Sequence, residues 1–424
     1  MPLRTQRSGH AEFVLKIIHI DLFKEEITME RCIGAVSRGV RAPIIREGDD
    51  IVKIVADSVL KASEVHGIPF CDRDVVAVTE SVVARAQGNY ATTQDIADDI
   101  KAKIPGGEFG IVFPILSRNR FAICLRGMAK AAKKVYLMLS YPSDEVGNHL
   151  VSIDKVDEAG LDPYRDVLNE SQWRAHFGFE KHRFTGVDYI DYYKDLIVEE
   201  GANVEIIFAN DVRSILKYTK NVITCDIHTR VRTKRLLKAA GAEIVLGLDE
   251  ILNAPVNGSG CNEQYGLLGS NKATEDKIKL FPHNCQPVVD GIAERLRAAT
   301  GKHIEAMIYG DGAFKDPVGK IWELADPVVS PAHTAGLVGQ PNELKLKYLA
   351  DNDYADLSGD ALKDAISEAI KAKESDLVGS MASEGTTPRQ LTDLLGSLCD
   401  LTSGSGDKGT PIIWIQGYFD NYTM

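Results

Sequence analysis

The sequence predicts an α/β protein, an α+β arrangement of mixed sheets, and three observations carry that expectation. Short apolar runs at 75–78, 135–139 and 412–416 have the length and β-branched content of buried strands. Between such runs, Ile51, Ile54, Val55, Val59 and Leu60 recur at helical spacing. Residues 204–246 then alternate strand-like and helix-like segments in a β-α-β pattern.

The 424 residues are enough for two or three domains, and 44% hydrophobic content is ordinary for a globular chain. A formal net charge of −12 with no basic tail argues against nucleic acid as a main partner. Seven scattered cysteines, never spaced as a zinc pair, predict a reduced, cytoplasmic compartment. The first ten residues are polar and basic, and no apolar run approaches the ~20 residues that cross a bilayer. Neither secretion nor membrane embedding is expected.

In chain order, 13–20 and 27–33 read as an opening pair of strands. Gly48-Asp49-Asp50 then caps the helix begun at Ile51. The strand at 75–78 runs into Thr79-Glu80-Ser81 and on to Arg85, placing polar groups at a strand's carboxyl end, where α/β sheets bind ligands. An edge strand with a solvated face is the alternative. A strand at 109–116 leads to 121–125 and to Lys130, Lys133 and Lys134, which suit a solvated helix face first and a phosphate patch second.

Residues 150–257 change character and are expected to form an inserted α/β subdomain, between parts of a core at 1–149 and 258–424. Helices are expected around Val212, Ile215 and Leu216 and at 231–240, with strands at 204–208, 222–225 and 243–246. No Gly-x-Gly-x-x-Gly follows these strands, so dinucleotide binding is unsupported. Asp226 and His228 share a face at period two and suit a metal or, more simply, a polar strand end. Residues 266–273 mix glycine, hydroxyl, amide and lysine, fitting a phosphate contact or a plain loop with a helix start at Ser270.

The strand at 307–309 opens into Gly310-Asp311-Gly312, with Lys315 close behind. Glycine on both sides of Asp311 lets amides approach an anion while the carboxylate is free to hold a hard cation, a combination that suits a metal-bound polyphosphate. A tight turn whose Asp accepts main-chain N–H bonds is the other reading. Helices are expected at 362–372 and 391–401. The run from Thr402 to Pro411 alternates glycine with hydroxyl residues before the last strand, as an anion-wrapping loop or a flexible hairpin would.

Four of these segments resemble the coenzyme F-420 gamma-glutamyl ligase family, enzymes that use GTP and divalent cations to join L-glutamate to a deazaflavin precursor. The likeness covers roughly 33–149 and 255–417. Pro43-Ile44-Ile45-Arg46-Glu47-Gly48-Asp49-Asp50 is close to the family's opening motif. Val82-Val83-Ala84-Arg85-Ala86-Gln87-Gly88 is similar to its second, with arginine where the family has a nucleotide-binding lysine. Tyr309-Gly310-Asp311 stands at a metal-binding aspartate, and the stretch from Gly404 to Pro411 resembles the glycine-rich nucleotide loop.

The resemblance implies a gamma-glutamyl ligase-like core and a homodimer. It places nucleotide contacts at Ala42, Pro43, Ile44, Ile45, Glu80, Ser81, Arg85, Ser403, Gly404, Ser405, Gly406, Asp407, Gly409 and Thr410. Asp311 would hold Mg²⁺ or Mn²⁺, with Arg85 and Lys315 stabilising a phosphoryl group passing from GTP or ATP to an unidentified carboxylate acceptor. Glutamate's amine would then displace phosphate from the acyl phosphate. The family's other metal-binding aspartate falls at Ala129 and its glutamate at Ser405, while Glu80 and Ser81 replace a hydroxyl pair and Gly312 a threonine. Either Asp144, Glu145, Asp316 or Asp407 provides the missing ligands to the cation, or the chain is a non-catalytic nucleotide-binding homologue.

Overall fold

The computed structural model describes residues 32–312, 325–386, 389–404 and 406–423. It is a mixed α/β protein with two principal sheets and a small third. The expected opening strands at 13–20 and 27–33 lie almost wholly outside the described residues, and Cys32 and Ile33 are in no strand.

The first sheet has the order Val36–Val40, Ile412–Gln416, Val75–Thr79, Glu305–Tyr309, Ala332–His333. Only Val75–Thr79 and Glu305–Tyr309 run parallel, in a register that sets Tyr309 beside Thr79. Their carboxyl ends are therefore level, and the residues that follow emerge side by side. Both Glu305–Tyr309 and Ile412–Gln416 are buried along their whole length, as strands covered on both faces must be. On one face, Val55 and Val59 of helix Ile51–His66 and Val289 and Ile292 of helix Gln286–Thr300 pack on Val76, Val78, Ile308 and Trp414. On the other, Leu395 and Cys399 of helix Leu391–Thr402 meet Ala77, Met307 and Ile413.

The expected cap of helix Ile51–His66 is present, the Asp50 side chain accepting from Lys53 N at 2.9 Å. The helix ends at Gly67, whose φ of 63° suits a residue without a Cβ. Helices Gly359–Ala372 and Leu391–Thr402 also lie close to expectation.

The second sheet has the order Leu168–Asn169, Asn203–Phe208, Lys134–Leu139, Glu108–Val112, Asn221–Thr224, Ile244–Gly247, parallel except for its first strand. Strands 108–112 and 134–139 thus share one sheet with strands of the 150–257 block, which builds no separate sheet of its own. Helix Phe121–Ala131 makes the crossover between those two strands. Its Phe121, Cys124, Leu125 and Met128 pack with Ile96, Ile100 and Tyr193 in the largest core cluster.

Local expectations differ in three places. Val212–Lys217 is a 3₁₀ helix, in keeping with the Asp211 side chain capping Arg213 N. Strand Glu108–Val112 stops short of 116 because Phe113 takes a positive φ of 56°. No helix starts at Ser270: its hydroxyl bonds back to Leu267 O, and Asn271–Lys272 pairs with Lys277–Lys279 in the small sheet that also holds Tyr90–Thr92.

Candidate functional site

The level ends of the two parallel strands deliver the first two carboxylates. Thr79 leads directly into helix Glu80–Gln87, so Glu80 stands at the strand's carboxyl end with only 4% of its surface exposed. Lys279, buried at the end of strand Lys277–Lys279, donates to Ser81 Oγ at 2.7 Å and lies 3.4 Å from both Glu80 oxygens. Burial pushes the Glu80 carboxyl up to about 7, against the opposing charges of Lys279 and Arg120 and with the help of Asp326.

From the neighbouring strand, Gly310 N bonds to Val329 O, and Asp311 follows. A Cβ at Gly310 would lie 2.5 Å from Asp326 Oδ2, so only glycine lets the two segments approach this closely. Asp311 N donates to Asp326 Oδ2 at 2.8 Å, and Gly312 N donates to Asp400 Oδ2 at 3.1 Å. Burial raises the Asp400 carboxyl above its ordinary range.

The cation between these carboxylates comes from the other half of the molecule. Tyr193 Oη donates to Ile115 O and accepts from Ser117 N, fixing the loop ahead of helix Phe121–Ala131. Ser117 Oγ in turn accepts from Arg120 N. Arg120 then reaches Asp326 Oδ1 through Nη1 and Asp311 Oδ2 through Nη2, each at 2.6 Å. Burial works against its charge, but Asp326 and Asp311 outweigh it and hold the guanidinium's pKa above the usual arginine value.

The expected nucleotide segments adjoin this cluster. Ala42 N bonds to Gly409 O, tying the first motif to the glycine loop. Within the loop, Gly404 N donates to Thr410 Oγ1 and Ser403 Oγ to Thr410 O, so it closes on itself rather than hanging free. Thr79 N bonds to Pro411 O, bringing the loop to the strand end that carries Glu80. Pro43 and Ile44 are exposed and Ile45 is buried, while Gly406, Asp407 and Gly409 face solvent. Beside Thr410 opens a cavity of ≈ 850 Å³, lined by Arg38, Arg41, Lys61, His66 and Lys408 above the wholly buried Trp414. It lies under strand Val36–Val40, apart from the carboxylate cluster, and no acidic side chain lines it.

Other expected positions fall elsewhere. Arg85 is exposed in the last turn of its helix. Five helical residues place it about 7.5 Å along and roughly 140° around the axis from Glu80. Lys315, Asp316 and Ser405 lie outside the described residues. Ala129 is wholly buried in the core, so the helix addresses the cluster through Arg120 and not through position 129. Asp144 is consumed by Leu116, Val146 and Asn148, and Glu145 by the amides of Ile227 and His228, both beside the second sheet. Asp226 takes the hydroxyls of Thr229 and Thr233, as a polar strand end would. Lys130 bonds to Thr93 Oγ1.

A resident metal at Asp311 does not fit this donor set. Its Oδ2 is engaged by Arg120, both oxygens of Asp326 are taken, and among the described residues no three His, Cys, Asp or Glu side chains gather as a metal site. Sequence reasoning missed Arg120, Asp326, Asp400 and Lys279. Only Lys279 left a local sign, a charge between the apolar Ile278 and Leu280.

The mixed α/β core, with charged side chains gathered at parallel strand ends and a glycine loop beside them, is consistent with an α/β ligase core. The chain belongs to the F420-0:Gamma-glutamyl ligase family, whose sequence model matches residues 39–417. No curated protein matches the chain. Among the described residues no helix is long and apolar enough to cross a membrane.

Proposed function

We propose that the protein is an amide-bond ligase of gamma-glutamyl type that activates a carboxylate with a nucleoside triphosphate and passes the acyl group to the amine of L-glutamate. The observation that carries this reading is the convergence of Glu80, Lys279, Arg120 and Asp311 at the strand ends next to the 403–411 loop, in a chain of this family.

In this reading the 403–411 loop takes the nucleotide, GTP or ATP, where the Thr79 N–Pro411 O bond brings it to the strand end that carries Glu80, with Arg41 and Lys408 beside the loop toward the phosphates. Mg²⁺ or Mn²⁺ enters with the nucleotide as part of the co-substrate. Arg120 and Lys279 hold fixed positive charge in a water-poor cleft where negative charge accumulates during phosphoryl transfer. Glu80, balanced near neutrality, accepts the proton that glutamate's ammonium must lose before its nitrogen attacks the acyl phosphate. The enzyme is proposed to act as a cytoplasmic homodimer.

The second reading is a nucleotide-binding homologue without catalysis, favoured by the engagement of Asp311 with Arg120. Incubating the protein with GTP or ATP, Mg²⁺, glutamate and a panel of carboxylate acceptors, deazaflavin precursor included, separates the two. Acceptor-dependent phosphate release with a new amide product supports the ligase. Calorimetric nucleotide binding without release for any acceptor supports the homologue instead.

A further inference from the structure

The relation of Arg120 to its two carboxylates has a meaning apart from the reaction. Two oxygens from different segments, Asp311 Oδ2 and Asp326 Oδ1, are drawn to one positive group at 2.6 Å each. The Asp311 amide closes the arrangement by donating to the remaining oxygen of Asp326. A pair of carboxylates converging on a shared centre is what a hard divalent cation requires. Here the centre is occupied by a guanidinium, whose planar fork gives each carboxylate its own N–H.

We infer that Arg120 is a built-in cation that takes the place of a divalent ion between Asp311 and Asp326, closing this carboxylate pair to metal in the native chain. Three features support it. The Asp326 side chain is 1% exposed, and a carboxylate that deeply buried needs a permanent counter-charge. The guanidinium cannot lose its proton at any physiological pH, so the charge is always present. It is also rooted at the start of helix Phe121–Ala131, so no loading step precedes its arrival.

The charges define a test. With Arg120 the trio carries a net −1; without it, two adjacent carboxylates carry −2 and become attractive to a divalent ion. Mn²⁺ binding is measured by electron paramagnetic resonance on the full chain with no nucleotide, glutamate or acceptor present, so the result is independent of the ligase reading. Native protein and Asp311→Asn are expected to bind Mn²⁺ alike. Arg120→Met, checked for native circular dichroism, is expected to gain a site at least tenfold tighter than any in the native protein, and adding Asp311→Asn should abolish it. Native protein binding Mn²⁺ tenfold more tightly than Asp311→Asn would overturn the inference, as would a folded Arg120→Met variant that gains nothing. Should Arg120→Met fail to fold, the comparison of native protein with Asp311→Asn decides alone.

Discussion

Arg120 Nη1 meets Asp326 Oδ1 at 2.6 Å across 206 positions of sequence. The pair joins a crossover helix of the six-stranded sheet to the segment following strand Glu305–Tyr309 of the five-stranded one. Arg120→Ala should therefore cost about 3–5 kcal/mol of folding stability, because two carboxylates lose their counter-charge in a poorly hydrated place. Urea unfolding measures the loss. Adding Asp326→Asn to that variant should restore part of it, since the stranded anion is then gone; a strictly additive double variant would contradict the pairing.

Glu80 makes stability depend on pH. Its folded-state pKa, about 7, lies above the ordinary 4.5, so the folded protein holds this proton more tightly than the unfolded chain. The associated stability is fully present below about 4.5 and is lost as pH rises to about 7. The stability difference between native protein and Glu80→Gln should fall across that window. A difference that stays flat from pH 4.5 to 7.5 would show that burial does not govern this carboxyl.

Gly404 bears on nucleotide binding. A Cβ there would collide with the Lys408 side chain and lie 2.7 Å from Thr410 Oγ1, prising open the loop that Gly404 N closes. Gly404→Ala should weaken nucleotide affinity about tenfold, equivalent to ~1.4 kcal/mol, in calorimetric titration. Unchanged affinity would separate the loop from the nucleotide.

Asp74 anchors the last strand of the first sheet from beneath. Its buried Oδ2 accepts from Trp414 Nε1 at 2.9 Å, Gln416 Nε2 at 2.8 Å and Cys71 N at 3.0 Å. Asp74→Asn puts an amide in a place built to accept, costing about 2 kcal/mol in thermal or urea unfolding.

The fold was legible where pattern and local chemistry agree. Helical spacing from Ile51 with Asp50 ahead of it fixes a capped helix, and apolar runs mark strands such as Ile412–Gln416 because burial on both faces leaves no polar alternation. Pairing was not legible. Nothing in residues 108–139 reveals that their strands join those of 203–247, since register and partner are decided by the assembled core. At the site, Asp311 stood out through its flanking glycines, yet its partner Arg120 lies 191 residues away with no periodicity to mark it. Ala129 drew attention as a missing carboxylate through alignment to a motif, whereas the helix meets the cleft one end earlier, at its first turn.

One consequence concerns inheritance. Because a single side chain satisfies acids from two separate stretches, positions 120, 311 and 326 are not free to drift one at a time: exchanging the arginine strands two anions, and exchanging either acid leaves a cation half-matched in a dry crevice. Relatives that diverge here are expected to change the three together, so the trio should vary across aligned sequences as one correlated character.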